Sequence, residues 1–354
     1  MTATFAPKML IKRIRLPKST IGDEIRKENV TPSGNPALVK PINSLASAAS
    51  SYVEAKEEGE VSALALLDIH TGDEVENLSH ALKRMERDIN GYIENLTHVT
   101  AEKERIGAEL SVATHIQASM LPCIFPAFPN RREFDIYATM TPAKEVGGDF
   151  YDFFLVDDDH LAVVIADVSG KGVPAALFMV IAKTLIKDHT QSGKPPEEVF
   201  TEVNRQLCEA NDENLFVTAW MGVLEISTGK LVYVNAGHNP PVIGRKNGET
   251  EFLRSRPGFV LAGLDFTKYR AGSLELMPGD LLYLYTDGVT EAMNTAQELY
   301  GEERLKRTLD ANVSAAPEEI FKAVKKDLDD FVADAPQFDD ITMLAMRYLG
   351  REGG

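Results

Sequence analysis

IADVSGKGVPAALFM, residues 165–179, carries an apolar run into an aspartate, sets two glycines around a lysine, and resumes as a second apolar run. Two chemistries compete for this stretch. A Ser-Gly-Lys-Gly phosphate cradle would make the chain a nucleotide binder, whereas an aspartate delivered by a strand would make it a metal binder. The spacing lacks the G-x-x-x-x-G-K-[ST] pattern of a P-loop. Gly170 and Gly172 instead let the backbone turn sharply off a strand, and Pro174 suits the first turn of the helix that follows. Asp167 therefore carries the chemistry, and Lys171 is expected to be solvated.

Around this unit the chain alternates short apolar runs with helical patterns. LAVVIA (161–166), LFVTAWMGVLEI (215–226), LVYVNA (231–236), DLLYLYT (280–286) and ITMLAMRY (341–348) have the length and the β-branched or aromatic content of strands. Helical spacing marks 174–190, 196–212, 302–311 and 317–333. Gly-containing turns such as Ser227-Thr228-Gly229 make several connections look like antiparallel meanders. The class is α+β, with sheets packed under helices.

Three aspartates share one placement. Asp167 follows the run 161–166, Asp287 follows 281–285 and precedes Gly288, and Asp339 stands just before the run 341–348. A fourth, Asp149, lies in EVGGDFYDFF between two glycines and an aromatic stretch. Singly these mean little, because Asp-Gly is a common turn. Together, four carboxylates at one sheet edge repel unless cations neutralise them. Oxygen-only ligation selects Mg²⁺ or Mn²⁺ over zinc. A shared carboxylate would allow two ions ~3.5–4 Å apart and a water activated for in-line attack on phosphorus.

Toward the N-terminus the texture changes. Residues 1–35 alternate basic residues with prolines and read as a poorly ordered arm. Residues 1–40 carry +5, leaving −22 for the remainder of a chain whose net charge is −17. From Pro36, Leu38, Ile42, Leu45 and Ala49 follow helical intervals, and Asp73 with Glu76 has the form of a capping box. Beyond it, Leu82, Met85, Ile89, Tyr92, Leu96, Val99, Lys103, Ile106, Leu110, Ala113, Gln117 and Met120 step 3-4-3-4 without a break. That is a coiled-coil seam about 60 Å long, softened by Gly91 and Gly107 at ~1 kcal/mol each.

The acidic balance argues against a nucleic-acid binder. No stretch approaches a membrane span, the N-terminus has no secretory h-region, and Cys123 and Cys208 form no disulfide framework. A cytoplasmic protein is expected, with the basic arm suited to the inner face of a membrane.

Two resemblances extend this reading. Residues 36–90, with the GDE turn in TGDEVENLSHALKRM, resemble a HAMP domain, which implies a parallel helical relay, a coiled-coil signalling helix over 91–122 and a homodimer through both. Residues 130–349 resemble the SpoIIE/RsbU-like branch of the metal-dependent (PPM, type 2C) protein serine/threonine phosphatases, through PAKEVGGDFYD, IADVSGKGVPAALFM, NAGHNPP, LYTDGVTEAM and FDDITMLAM in family order. The resemblance implies two central antiparallel sheets flanked by helices and two Mn²⁺ or Mg²⁺ ions per catalytic domain. It implies that Asp167 bridges both ions and that the Val168 carbonyl reaches the first. Asp149 would act there too, directly or through a water, while Asp287 and Asp339 bind the second. Asp339 is preferred because it stands three residues before Thr342; Asp340 is second choice, more often a hydrogen-bonding partner.

The implied activity is hydrolysis of phosphoserine or phosphothreonine on a regulatory partner, in relatives typically an anti-sigma-factor antagonist of the STAS type. The stalk would act on the helices around Asp167. Lys144 is a candidate phosphate contact, since no arginine of the larger type 2C enzymes is evident. His238, Gly147 and Gly148 read as structural. The alternative is a catalytically weak PPM-like module that only binds a partner. A diguanylate cyclase reading of GGDF fails, because Phe150 stands where that motif needs a glutamate.

Overall fold

The computed structural model describes residues 36–57, 62–209 and 211–351. The basic arm read at 1–35 lies outside them. The chain forms two compact units, divided after Glu102.

In the first unit, helices α1 (Pro36–Glu57) and α2 (Ala63–Leu66) precede the long helix α3 (Glu74–Met120). Its start is capped much as the sequence suggests. The Asp73 carboxylate accepts from the Val75 amide at 3.0 Å, while Glu76 reaches back to the Gly72 amide at 2.8 Å, one residue earlier than in a strict capping box. Leu45, Ala48, Leu64 and Ile69 form a small core against Leu67, Val75 and Leu82. Ile42 and Ala49, read as part of the inner face of α1, are exposed, and Ala48 takes the inner place. Further along α1 the Tyr52 hydroxyl donates to Asn90 at 3.0 Å, so α1 and α3 run in the same direction.

The second unit holds two five-stranded antiparallel sheets. One, in order β1-β10-β9-β6-β7, uses β1 (Phe134–Thr141), β6 (Val242–Gly244), β7 (Thr250–Phe252), β9 (Leu281–Tyr285) and β10 (Ile341–Tyr348). The other, β2-β3-β4-β5-β8, uses β2 (Phe150–Leu155), β3 (His160–Val168), β4 (Val217–Glu225), β5 (Lys230–Ala236) and β8 (Gly272–Glu275). Helices α4 (Val173–Gln191) and α5 (Pro196–Glu209) pack on the second sheet. The one-turn helix α6 (Asp287–Thr290) is followed by α7 (Gly301–Asn312) and α8 (Pro317–Val332), and α8 packs on the first sheet.

The continuous apolar runs have a structural cause. In β9, Leu282 and Leu284 enter the core between the sheets, while Leu281, Tyr283 and Tyr285 enter a second core under α7 and α8. A strand covered on both faces loses polar alternation. The α+β reading with two antiparallel sheets is borne out.

Candidate active site

Strand register brings the aspartates together. β2 pairs with β3 so that Phe150 lies across from Ala166; continued one step, the ladder sets Asp149 opposite Asp167. In the other sheet Met343 lies across from Tyr285, which places Asp287 beside the start of β10 and hence beside Asp339 and Asp340. Hydrogen bonds tie the two sheets at this edge. The Thr286 hydroxyl donates to Asp149 Oδ2 at 2.7 Å, and the Gly148 amide donates to Asp340 Oδ2 at 2.7 Å.

Asp340 is committed to backbone. Besides Gly148, its carboxylate accepts from the Ala143 amide at 2.8 Å and the Asp149 amide at 3.4 Å. A Cβ on Gly147 would lie 2.3 Å from Asp340 Oδ2, so only glycine lets this carboxylate sit so close. A Cβ on Gly148 would lie 2.7 Å from the Val168 carbonyl oxygen. Its absence lets the Gly148 backbone pack closely against that oxygen in the Asp149 turn.

The electrostatics are those of uncompensated acids. Burial, then the charge of Asp287, pushes Asp167 up to about 7, partly offset by its hydrogen bond with Asp149. Burial and then the charge of Asp167 hold Asp149 well above the usual carboxylate range, against the opposing pull of the Thr342 and Thr286 hydroxyls. Asp287 is raised by burial and then by Glu291 and Asp339. Such mutual repulsion in a dry setting is relieved by a cation. The oxygen-only donor set, carboxylates together with the Val168 carbonyl beside the Asp149 turn, fits a hard divalent ion. Among the described residues, however, no three His, Cys, Asp or Glu side chains are already arranged as a ligand shell.

Asp339 is also paired, by a lysine that is exposed as the sequence suggests but is not free. Lys171 donates to Asp339 Oδ2 at 2.9 Å and to the Phe338 carbonyl at 2.6 Å, and sits 4.1 Å from the centre of the Phe338 ring. The pairing follows from topology, because the turn after β3 and the loop before β10 leave the two sheets at the same edge. Lys144 is exposed on the loop that leads to Asp149.

His238 is buried, with Nδ1 2.9 Å from the Thr218 hydroxyl. The Asn235 side chain pairs with its backbone on both sides. Burial pushes its pKa down to about 4, so at neutral pH the ring is uncharged.

Sequence reasoning also filed Gln117 as a seam residue. It is buried, and its amide pairs with the backbone of Gly147: Nε2 donates to the Gly147 carbonyl at 2.6 Å, and Oε1 accepts from the Gly147 amide at 3.1 Å. The only hint in the sequence was a polar residue at an apolar slot.

Comparison with known proteins agrees with this architecture. Residues 157–349, more than half of the chain, match the family model for SpoIIE, Stage II sporulation protein E. Protein IcfG of Synechocystis sp. is 36% identical over 266 residues, covering 67% of this chain and 41% of that protein, so the chain spans about two fifths of this relative's length. Phosphoserine phosphatase RsbU of Bacillus subtilis is 27% identical over 245 residues, covering 69% and 71%. The SiaA-PP2C domain of Pseudomonas aeruginosa superposes with a TM-score of 0.62 at 24% identity, covering 70% of this chain and 99% of that one. A two-sheet fold whose chain crossings carry four aspartates to one edge is thus the PP2C (PPM) fold, and the chain belongs to the SpoIIE family.

Proposed function

We propose that the chain is a metal-dependent phosphatase that removes phosphate from phosphoserine or phosphothreonine on a regulatory protein partner, with a STAS-type anti-sigma-factor antagonist as the partner class. The supporting observation is the convergence of Asp149, Asp167 and Asp287 at one sheet edge, each with its pKa raised by burial and by neighbouring acids. RsbU, named a phosphoserine phosphatase, aligns over most of the same region.

Asp149, Asp167, Asp287, Asp339 and the Val168 carbonyl would hold two Mn²⁺ or Mg²⁺ ions. When bound, such ions neutralise phosphate charge and lower the pKa of a bound water. The protein's own residues do the rest. Thr286 fixes the rotamer of Asp149 through its hydroxyl, and Asp340 fixes the turn that presents it. Lys171 holds Asp339 and the Phe338 backbone in one place. Lys144 offers an ammonium group to an incoming phosphomonoester.

The test is phosphate release from a phosphoserine peptide with Mn²⁺ and with excess chelator. Release that needs Mn²⁺ is expected; equal release in both conditions rejects the proposal.

Residues 36–90 fit a HAMP-like relay, supported by the parallel course of α1 and α3, with 91–122 as a signalling helix and 130–349 as the catalytic domain. Residues 91–109 of α3 are exposed throughout, including Tyr92 (70%) and Leu96 (65%) of the seam. A homodimer through this seam buries them. Sedimentation of the full chain should give twice the mass of 38.9 kDa, and Leu96→Glu with Val99→Glu should return it to a monomer. A wild-type monomer at micromolar concentration would end this part of the proposal. Among the described residues no helix is long and apolar enough to cross a membrane; the basic arm would suit a place at the inner membrane face.

A further inference from the structure

The segment 143–149 delivers Asp149, and side chains grip it from two directions. From one side the Asp340 carboxylate accepts from the amides of Ala143, Gly148 and Asp149. From the other, the last turns of α3 take hold. Gln117 pairs with both the amide and the carbonyl of Gly147, and the Thr114 hydroxyl donates to the Glu145 carbonyl at 2.5 Å. Gln117 is 6% exposed, so its two bonds to Gly147 form away from competing water, whereas the Thr114 bond lies at the surface.

The Gln117 contact is directional. A side-chain amide that donates to and accepts from one peptide group fixes both the height and the rotation of its helix. One residue of slippage turns an α-helix by about 100° and breaks both bonds at once. A single residue separates Gly147 from Asp149, and that residue, Gly148, is packed against the Val168 carbonyl. A shift at Gly147 therefore has little slack in which to dissipate before it reaches Asp149.

Gln117 also shares the 3-4 register of Tyr92, Leu96, Val99 and Ile106, which are exposed. Every face of the helix is exposed over 91–109, and the 3-4 register that a partner helix would use leads on to Gln117. Leu110, Ala113 and Thr114, between the two stretches, are half-buried.

We infer that Gln117, supported by Thr114, is the positioning residue through which α3 sets Asp149. The stalk then acts on the Asp149 loop, a different target from the helices around Asp167 that the sequence suggested. This inference rests on the phosphatase reading above.

Gln117→Met keeps the side-chain volume and removes both hydrogen bonds, and Thr114→Val removes the bond one turn earlier. Mn²⁺ binding to the full chain is followed by the EPR signal of the free ion, alongside steady-state kinetics on a phosphoserine peptide. Gln117→Met is expected to weaken Mn²⁺ binding about tenfold, as loss of a residue that orients a ligand does, and to lower kcat with KM for the peptide unchanged. Thr114→Val is expected to act in the same direction by less. A general loss of folded protein would reduce the active fraction without moving the Mn²⁺ midpoint, which separates a structural role from positioning.

Wild-type Mn²⁺ affinity and wild-type kcat in both variants would overturn the inference while leaving the phosphatase reading intact. If Gln117→Met does not fold, Thr114→Val decides alone. A wild-type chain that neither binds Mn²⁺ nor releases phosphate overturns both.

Discussion

Asp167→Asn should lower Mn²⁺-dependent phosphate release on the order of a thousand-fold, beyond the 10–100-fold typical of residues that merely orient ligands. The same substitution should stabilise the protein in chelator at alkaline pH. In the fold Asp167 titrates at about 7, whereas an unfolded aspartate titrates near ~3.9. Between those values the folded state binds more protons than the unfolded one, so stability falls as pH rises through that window. Asparagine carries no charge to desolvate and removes this slope. Thermal melts in chelator at pH 5 and pH 8 should show the wild type losing a few degrees more than the variant. Mn²⁺ should reverse the order, stabilising the wild type and leaving the variant little changed. Parallel pH dependence in the two proteins would contradict the assignment of Asp167 as a buried acid awaiting a cation.

The second large effect is steric. Gly288 follows Asp287 at the start of α6, and a Cβ there would lie 1.9 Å from the Asp340 carbonyl oxygen and 2.8 Å from its carbonyl carbon. Both are backbone atoms, at the point where the β9 and β10 ends meet, so no side-chain rotation relieves the overlap. Gly288→Ala should cost about 3 kcal/mol or more, at the upper end for overpacking. It should also abolish Mn²⁺ binding, because the segment carrying Asp287 or the one carrying Asp339 must move. Urea unfolding measures the first effect and ion binding the second. A variant with wild-type midpoint and affinity would show that the two strand ends are less closely packed than they stand here.

Much of the catalytic unit was legible in its sequence, for a physical reason. Strands covered on both faces read as unbroken apolar runs, and an aspartate ending such a run has few places to go except the sheet edge. Pro174 marked a helix start, and the observed boundaries of α4, α7 and α8 fall within two residues of the helical spacing. The short strands β6, β7 and β8 were missed, being three or four residues long and too brief to show a period. β1 alternates Phe134, Ile136, Ala138 and Met140 and was open to a two-residue count. β2 was hidden by its aromatic density, which read as the flank of a glycine loop.

The candidate site divides the same way. Asp149, Asp167, Asp287 and Asp339 announced themselves by position, but the register that sets Asp149 across from Asp167 is a long-range pairing. The roles of Lys171 and Gln117 were not legible either. Each depends on which loop the topology brings within reach of a polar tip, and neither local spacing nor residue type encodes that. Asp340 was correctly suspected as a hydrogen-bonding residue, and its grip on three amides bears that out.

The pairing of β1 with β10, from Phe134↔Tyr348 to Thr141↔Ile341, governs when this molecule becomes competent during its own synthesis. The first strand of the catalytic unit stays unpaired on that edge until more than two hundred further residues have been translated. Until residue 348 has cleared the exit tunnel, Asp339 and Asp340 have no strand to stand on, and the edge where the aspartates meet stays incomplete however well the second sheet has condensed.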